Sequence, residues 1–439
     1  MFNLVKSLYL YGLGISIAFI LSSCGGGGGD GAADNSSVSL VPAGDYYVSV
    51  MGNDGNDGLS STKPKLTIQA AIAVAPIGKN VHVAEGSYQV NSDAGSGNQV
   101  VLRDNVSLYG GYSSDFTVRD PSVYTTIIED ISTTVGTTAT LNRTIESNSG
   151  ITNNTLVDGF TINGSSSTGA VYSAAIANFY GGAPKIQNNI IRGGSESYNY
   201  GIYNLNSSPV IQNNTIAAGT GSISYGVYSR TSSPIIQRNI ITGGSGGSDS
   251  IAVVSLVSSS SIIQNNVIKG GSGSNTSKAV IDANLSFSTI RNNSIDGGTG
   301  GVSSHAIMIM ESSPTIQNNI LFTSAGTNRY CISEWSNTNS DPAQFTNNNL
   351  FACQTALYHD EAITEITTIS DVNALLDITG GTGGNISVDP LFVSADDLHL
   401  TASSPASVTQ GGLDLSTYFT NDKDGLERTI PWSIGAYEY

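Results

Sequence analysis

The chain has 439 residues, 51 of them Gly, with 39% hydrophobic and only 12% charged residues. Its 34 Asp and Glu outnumber 17 Lys and Arg, and the net charge of −17 excludes a nucleic-acid binder, whose phosphate contacts require clustered bases. The hydrophobic fraction excludes wholesale disorder, and a mean hydropathy of −0.01 excludes a polytopic membrane protein.

Met1 to Ser23 reads as a secretory signal peptide. Lys6 is its only charge, and Leu8 to Leu21 form an apolar run too short to span a bilayer comfortably. The run closes on Leu21-Ser22-Ser23-Cys24, which resembles the lipobox of bacterial lipoproteins. That resemblance implies that Cys24 becomes the lipidated N-terminus, tying the protein to the bacterial outer membrane through acyl chains. A leftover Cys beside an ordinary signal-peptidase site is the alternative. Residues 24–44, which include Gly25 to Gly29, read as a flexible tether.

Residues 45–90 read as an N-terminal cap. They carry Tyr46-Tyr47-Val48-Ser49, the loop Gly52 to Gly58, and Leu66 to Ile72, whose pattern predicts a short amphipathic helix. Val81 to Ala84 and Gly86-Ser87-Tyr88 follow as a strand and a turn.

Residues 91–355 are organised by a repeat. Ile186-Gln187-Asn188-Asn189 recurs with its Ile at 211, 236, 263, 290 and 316, in steps of 25, 25, 27, 27 and 26 residues, and fades through Phe345-Thr346-Asn347-Asn348. Within each copy, short β-branched runs alternate with Gly, Ser and Asn clusters, so a repeat holds two or three short strands that must stack on the next copy. Stacking predicts inward columns Ile186, Ile211, Ile236, Ile263, Ile290, Ile316 and Ile191, Ile216, Ile241, Ile268, Ile295, Leu321. The pattern resembles the single-stranded right-handed parallel β-helix of the pectate-lyase-like superfamily, whose turn between sheets matches the Asn-Asn pair. A β-propeller is the rival, but its repeat is about 40–50 residues. Stacked Asn amides are expected to bond one another along the ladder. About a dozen rungs are expected, and the helix at Leu66 to Ile72 would close the first of them against edge pairing. The cap residues, together with Asp389-Pro390-Leu391-Phe392, Asp422 to Gly425 and Ile434 to Tyr439, look like the two ends of bacterial β-helix proteins of unassigned function. Residues 356–439 are therefore read as acidic C-terminal rungs and a cap.

Chemistry is harder to find. Residues 331–439 hold 15 acidic and 2 basic residues, read first as a solvated face. In the repeat body Asp158, Glu196, Asp249, Asp282, Asp296 and Glu311 are scattered over several rungs. Lys269 and Asp296 share a column, which predicts a surface salt bridge of about 0–1 kcal/mol. The four His, at 82, 305, 359 and 399, stand in unrelated contexts, and no catalytic set assembles. Asp54, Asp57, Asp422 and Asp424 lie in Asp- and Gly-rich loops that lack the Glu of an EF-hand. Tight turns are the default there and a structural calcium the alternative. Cys331 and Cys353, 22 residues apart, either bond across neighbouring rungs after export or remain buried thiols.

One pattern points to binding. Tyr200 and Tyr225 fall 25 apart, as do Tyr203 and Tyr228, with Tyr198 nearby, and alternation turns them outward while Ile202 and Val227 face in. Such rings suit sugar faces, although strand packing alone also favours tyrosine. The resulting expectation is a lipid-anchored, exported, non-catalytic protein that presents a β-helix face to a polysaccharide or host ligand. A polysaccharide lyase or glycoside hydrolase with a divergent site is the alternative. Oligomeric state and surface or periplasmic placement stay open.

Overall fold

A computed structural model describes residues 41–92, 97–132, 141–166, 172–336 and 339–439. The signal peptide, Cys24 and most of the tether lie outside the described residues. Among the described residues no helix is long and apolar enough to cross a membrane.

The chain from Tyr46 winds into a parallel β-solenoid with sheets of 12, 11 and 10 strands. One turn runs through Lys185–Gln187 in the 12-stranded sheet, Ile190–Arg192 in the 10-stranded sheet and Tyr198–Leu205 in the 11-stranded sheet. The next turn repeats this with Val210–Gln212, Thr215–Ala217 and Ile223–Arg230, in parallel register. Both predicted Ile columns form, at 0–1% exposure, because each strand presents one branched aliphatic to the interior per turn.

The two asparagines of the repeat divide the work of the corner. The first adopts a left-handed conformation, with φ of 55°, 54°, 53°, 48° and 56° at Asn188, Asn213, Asn265, Asn292 and Asn318, a region that Asn tolerates better than other side-chain-bearing residues. The second turns inward and stacks. Asn239 Nδ2 donates to Asn266 Oδ1 at 3.1 Å, Asn266 Nδ2 to Asn293 Oδ1 at 3.0 Å, and the ladder runs on to Asn385. Each such amide also caps backbone carbonyls, as Asn266 Nδ2 does for Ile236 and Gln264 at 2.9 Å, so none of these polar groups is buried unpaired.

Outside the 12-stranded sheet a second amide row forms. Arg291 Nε donates to Gln264 Oε1 at 3.0 Å, and Gln264, Gln237 and Gln212 each donate to the preceding Gln at 2.9 Å. Gln187 completes the row on Asp158 Oδ2 at 2.7 Å, and Arg119 pairs with the same carboxylate group.

The helix expected at the N-terminus spans Ile68–Val74, with Thr67 as N-cap accepting from Ala70 N at 3.2 Å. Its Ile68, Ala71 and Ile72 enter the solenoid core. At the far end Val372 and Ile378 close the core, and Cys331 and Cys353 are joined by a disulfide with Cα atoms 5.5 Å apart.

Beyond Ile386 the chain adds no further rungs and folds back along the outside of the solenoid. Leu398, Leu400, Val408, Ile434 and Tyr437 cover Val267, Ile320 and Phe322, outward residues of the 10-stranded sheet. The left-handed asparagines grip this strap. Asn265 Nδ2 donates to Asn421 O, Asn318 Nδ2 to Leu413 O and Asn347 Nδ2 to Gly411 O, all at 2.9 Å. Arg428 pins it, bonded to Glu438 Oε2 at 3.1 Å and to Asn265 Oδ1 at 2.8 Å.

Candidate functional site

The outer face of the 11-stranded sheet carries the tyrosines. Here two consecutive residues of each strand enter the core, such as Ala252 with Val253 and Ala279 with Val280, so the usual alternation is interrupted. The outward residues on either side of that interruption converge. Tyr200 stacks on Tyr225 with centroids 5.1 Å apart, Tyr203 stacks on Tyr228 at 5.4 Å, and Tyr200 meets Tyr203 edge to face at 5.0 Å. Tyr198 stacks on Tyr172 at 4.7 Å.

This geometry differs from rings laid open for stacking on a sugar. Tyr200 is 6% exposed, and the rings of both pairs turn a face to one another, because equivalent residues of adjacent rungs stand one strand spacing apart. What reaches solvent is ring edges and phenol oxygens. Burial pushes the pKa of Tyr200, Tyr203, Tyr225 and Tyr228 up, so they stay protonated. Among the described residues none of these four hydroxyls has a hydrogen-bond partner, leaving each as a donor and an acceptor. Tyr180, Leu205, Arg143 and Arg230 complete the groove.

The same columns continue beyond an aliphatic stretch. In register, Tyr200 and Tyr225 are followed by Ile251, Lys278, His305 and Tyr330. Tyr203 and Tyr228 are followed by Val254, Ile281, Met308, Ser333 and His359. Tyr330 is sandwiched between His305 at 5.1 Å and His359 at 5.0 Å, so two histidines that stand apart in the sequence meet at one ring. Trp335, 63% exposed, lines the same cleft.

Two of the cleft's bases, Lys278 and His305, are already engaged. Lys278 Nζ lies 3.6 Å from Asp249 Oδ1, and burial lowers its pKa against the pull of that carboxylate. His305 bonds Ser333 Oγ at 2.7 Å and Ser303 Oγ at 3.0 Å, and burial first, then the nearby Lys278 and His359, push its pKa down to about 3. It is a neutral structural imidazole at pH 7.

A carboxylate group that sequence reasoning missed borders the cleft. Glu334, Asp341 and Asp360 bring carboxylate oxygens within 4.8 Å of one another. Glu334 is buried, hydrogen-bonded to the Tyr358 hydroxyl and to Glu361 N, and burial raises its pKa to about 8. One oxygen each of Asp341 and Asp360 is buried without a hydrogen-bond partner, and neighbouring Asp377 and Glu361 add to the effect of burial in raising both pKa values. Such hard oxygen donors suit a cation of the calcium type. No period links these residues, since they come from two strands and a loop.

The four aspartates read as metal candidates are otherwise employed. Asp54 accepts from Leu66 N, Thr67 N and Thr67 Oγ1 at 2.9 Å, which fixes the start of the helix. Asp57 accepts from Leu59 N at 3.0 Å. Asp422 accepts from the amides of Asp424, Leu426 and Glu438, and Asp424 bonds His399 Nε2 at 2.9 Å. These are turn and strap contacts, and the loops do not converge as a ligand set. The Lys269–Asp296 salt bridge does not form either. Lys269 reaches Asp396 at 3.4 Å on the strap, while Asp296 accepts from Gly298 N and Ser324 N at 2.9 Å.

A search of curated proteins finds no match. Among solved structures the chain is similar to a pectate lyase, Pel9A, with 12% identity, 90% of this chain and 96% of that chain covered, and a TM-score of 0.51. XylC in complex with xylose gives 11% identity, coverage of 90% and 98% and a TM-score of 0.44; a rhamnogalacturonan lyase gives 12%, 88% and 95%, and 0.40. At these identities the first likeness establishes a pectate-lyase-like fold and no chemistry. One family matches residues 50–270, a stretch that contains the helix cap and both tyrosine rows and stops before Lys278. The chain belongs to that family, described as "Protein of unknown function (DUF1565)".

Proposed function

We propose that the protein is an exported, lipid-anchored protein of the bacterial outer membrane that binds a polysaccharide along the outer face of its 11-stranded sheet, without cleaving it. The observation that carries this reading is the pair of tyrosine rows, whose partnerless hydroxyls line up with the Lys278–Tyr330 cleft further along the same columns. A chain lying along the solenoid axis meets one rung about every 4.8 Å. The tether after Cys24 supports attachment by lipid. The engagement of Lys278 with Asp249, and of both His305 nitrogens with serines, supports binding without turnover, since these two bases are held by neighbours and His359 lies flat against Tyr330.

Glu334 favours one second reading, a glycoside hydrolase. A buried carboxyl held at about 8 beside a cleft, with other carboxylates near it, has the character of a proton donor. Full-length protein extracted in detergent is to be tested against a polysaccharide panel by retardation in affinity gels, by reducing ends and by unsaturated-product absorbance. Retardation without product, weakened about tenfold or more by Tyr225→Ala, is the expected result. Product formation abolished by Glu334→Gln would replace the binding reading with the hydrolase. Globomycin-sensitive processing, lost in Cys24→Ala, is expected for the anchor.

A further inference from the structure

We infer that the polysaccharide taken by this face is uncharged. The inference rests on the binding reading above and narrows it to a class of ligand.

Charge on the face is sparse and largely paired. In the tyrosine groove, Arg143 Nε is bonded to Glu146 Oε2 at 2.6 Å, which neutralises it. In the cleft, Lys278 stands against Asp249 at 3.6 Å, and Thr276 links the two by accepting from Lys278 and donating to Asp249. His305 is buried with both ring nitrogens bonded to serine hydroxyls, which keeps it neutral at pH 7. Of the Lys and Arg that line groove and cleft, Arg230 is the one without an ion pair among the described residues. A polyanion presents a carboxylate or sulfate at regular intervals and needs cations in step with it. This face repeats tyrosine from rung to rung and does not repeat cations.

The end of the face adds a second argument. Beside Glu334, which lines the cleft, Asp341 and Asp360 each hold a buried carboxylate oxygen without a hydrogen-bond partner, and Glu361 and Asp377 stand near both. An anionic chain following the columns past Tyr330 would run toward this acidic group. A neutral chain meets no such barrier.

What the face does offer matches sugar hydroxyls. Tyr200, Tyr203, Tyr225 and Tyr228 supply hydroxyls that both donate and accept, and Ser303, Asn275 and Asn328 line the cleft with further polar groups. Trp335, with most of its ring in solvent, supplies the open aromatic face that the stacked tyrosines lack. Neutral polar edges with one flat apolar plate are complementary to a pyranose chain whose only polar groups are hydroxyls and ring oxygens.

The test uses the full-length, detergent-extracted protein in affinity gels and calorimetry. Neutral probes are linear galactan, xylan, glucomannan and β-1,3-glucan; acidic probes are polygalacturonate, alginate and chondroitin sulfate. Salt is raised from about 0.1 M to about 1 M, which shortens the screening length from ~10 Å to ~3 Å. Expected is binding to at least one neutral polymer, with affinity changed less than about twofold by salt and weakened about tenfold or more by Tyr225→Ala and by Trp335→Ala. Binding confined to acidic polymers, falling steeply with salt and lost in Arg230→Ala or Lys278→Gln, overturns the inference while leaving a polysaccharide-binding function intact. Retention of no polymer of either class overturns both.

Discussion

Two columns on the same strands, two residues apart, follow opposite rules. The inward column reads Ile202, Val227, Val253, Val280, Ile307 and Ile332, branched aliphatics throughout and all at 0% exposure. The outward column beside it reads Tyr200, Tyr225, Ile251, Lys278, His305 and Tyr330. Inside, every rung must present the same shape to the rung above, because a close-packed interior accepts neither a gap nor an extra methylene cheaply. Outside, no neighbouring rung imposes that demand, so chemistry can change along the axis. Repetition is obligatory inside this molecule and optional outside it, where a tyrosine pair can be repeated once and then replaced.

The comparison breaks most visibly under core truncation. Ile307→Ala is expected to cost about 2–5 kcal/mol in denaturant unfolding. Tyr225→Ala, at a half-buried position outside the core, should cost clearly less; equal losses would erase the distinction between the columns. Next in size is Asn266→Ala. It strips an acceptor from Asn239, a donor from Asn293 Oδ1 and caps from two carbonyls, and about 1–3 kcal/mol of lost stability is expected, read in the same assay.

The two ends of the solenoid should answer pH in opposite senses. Glu334 keeps its proton in the folded chain up to about pH 8, against 4.5 for a free Glu, so the folded state binds the extra proton between those values. Its contribution is fully present below about pH 4.5 and is lost as pH rises through about 8. Glu146, nearer the N-terminus, is lowered in pKa: burial opposes the shift, and the bonds to Arg143, Asn148 and Gln99 outweigh it. Its contribution is lost as pH falls. Hydrogen exchange, corrected for intrinsic rates, should show Asn328–Glu334 loosening on the alkaline side and Asn142–Ser147 on the acid side. In Glu334→Gln the alkaline response should disappear; its persistence would remove Glu334 as the cause. The smallest effect expected is that of Gln237→Ala in the outer amide row, about 0.5–1 kcal/mol by thermal melting.

How much of this was legible follows from the same contrast. The Ile columns, the Asn ladder and the helix at Ile68–Val74 could be read because each has a period or a cap signal. The Lys278–His305–Tyr330 column was half visible: its first two members follow Tyr225 in steps that the Ile repeat already sets, and one more step reaches Tyr330. The Glu334, Asp341 and Asp360 group could not be read, because a loop and two strands bring it together without any shared spacing. Within residues 356–439, read as acidic rungs and a cap, the folding back of the strap from Ile386 was not legible for a related reason. Its apolar residues match a groove on the sheet, and that match is invisible until the sheet exists.

The glutamine row outside the 12-stranded sheet has a consequence of its own. Each primary amide has a donating and an accepting end, so the row from Arg291 to Asp158 has only two internally consistent orientations, one the mirror of the other. The cation at one end and the carboxylate at the other select between them, and every amide in between must agree. The row thus behaves as a single polar rod about five strand spacings long, ~24 Å, whose sense is set at its tips. An acceptor in place of Arg291 would ask for the opposite sense while Asp158 still asks for the present one, so the row would have to carry a fault between two like ends.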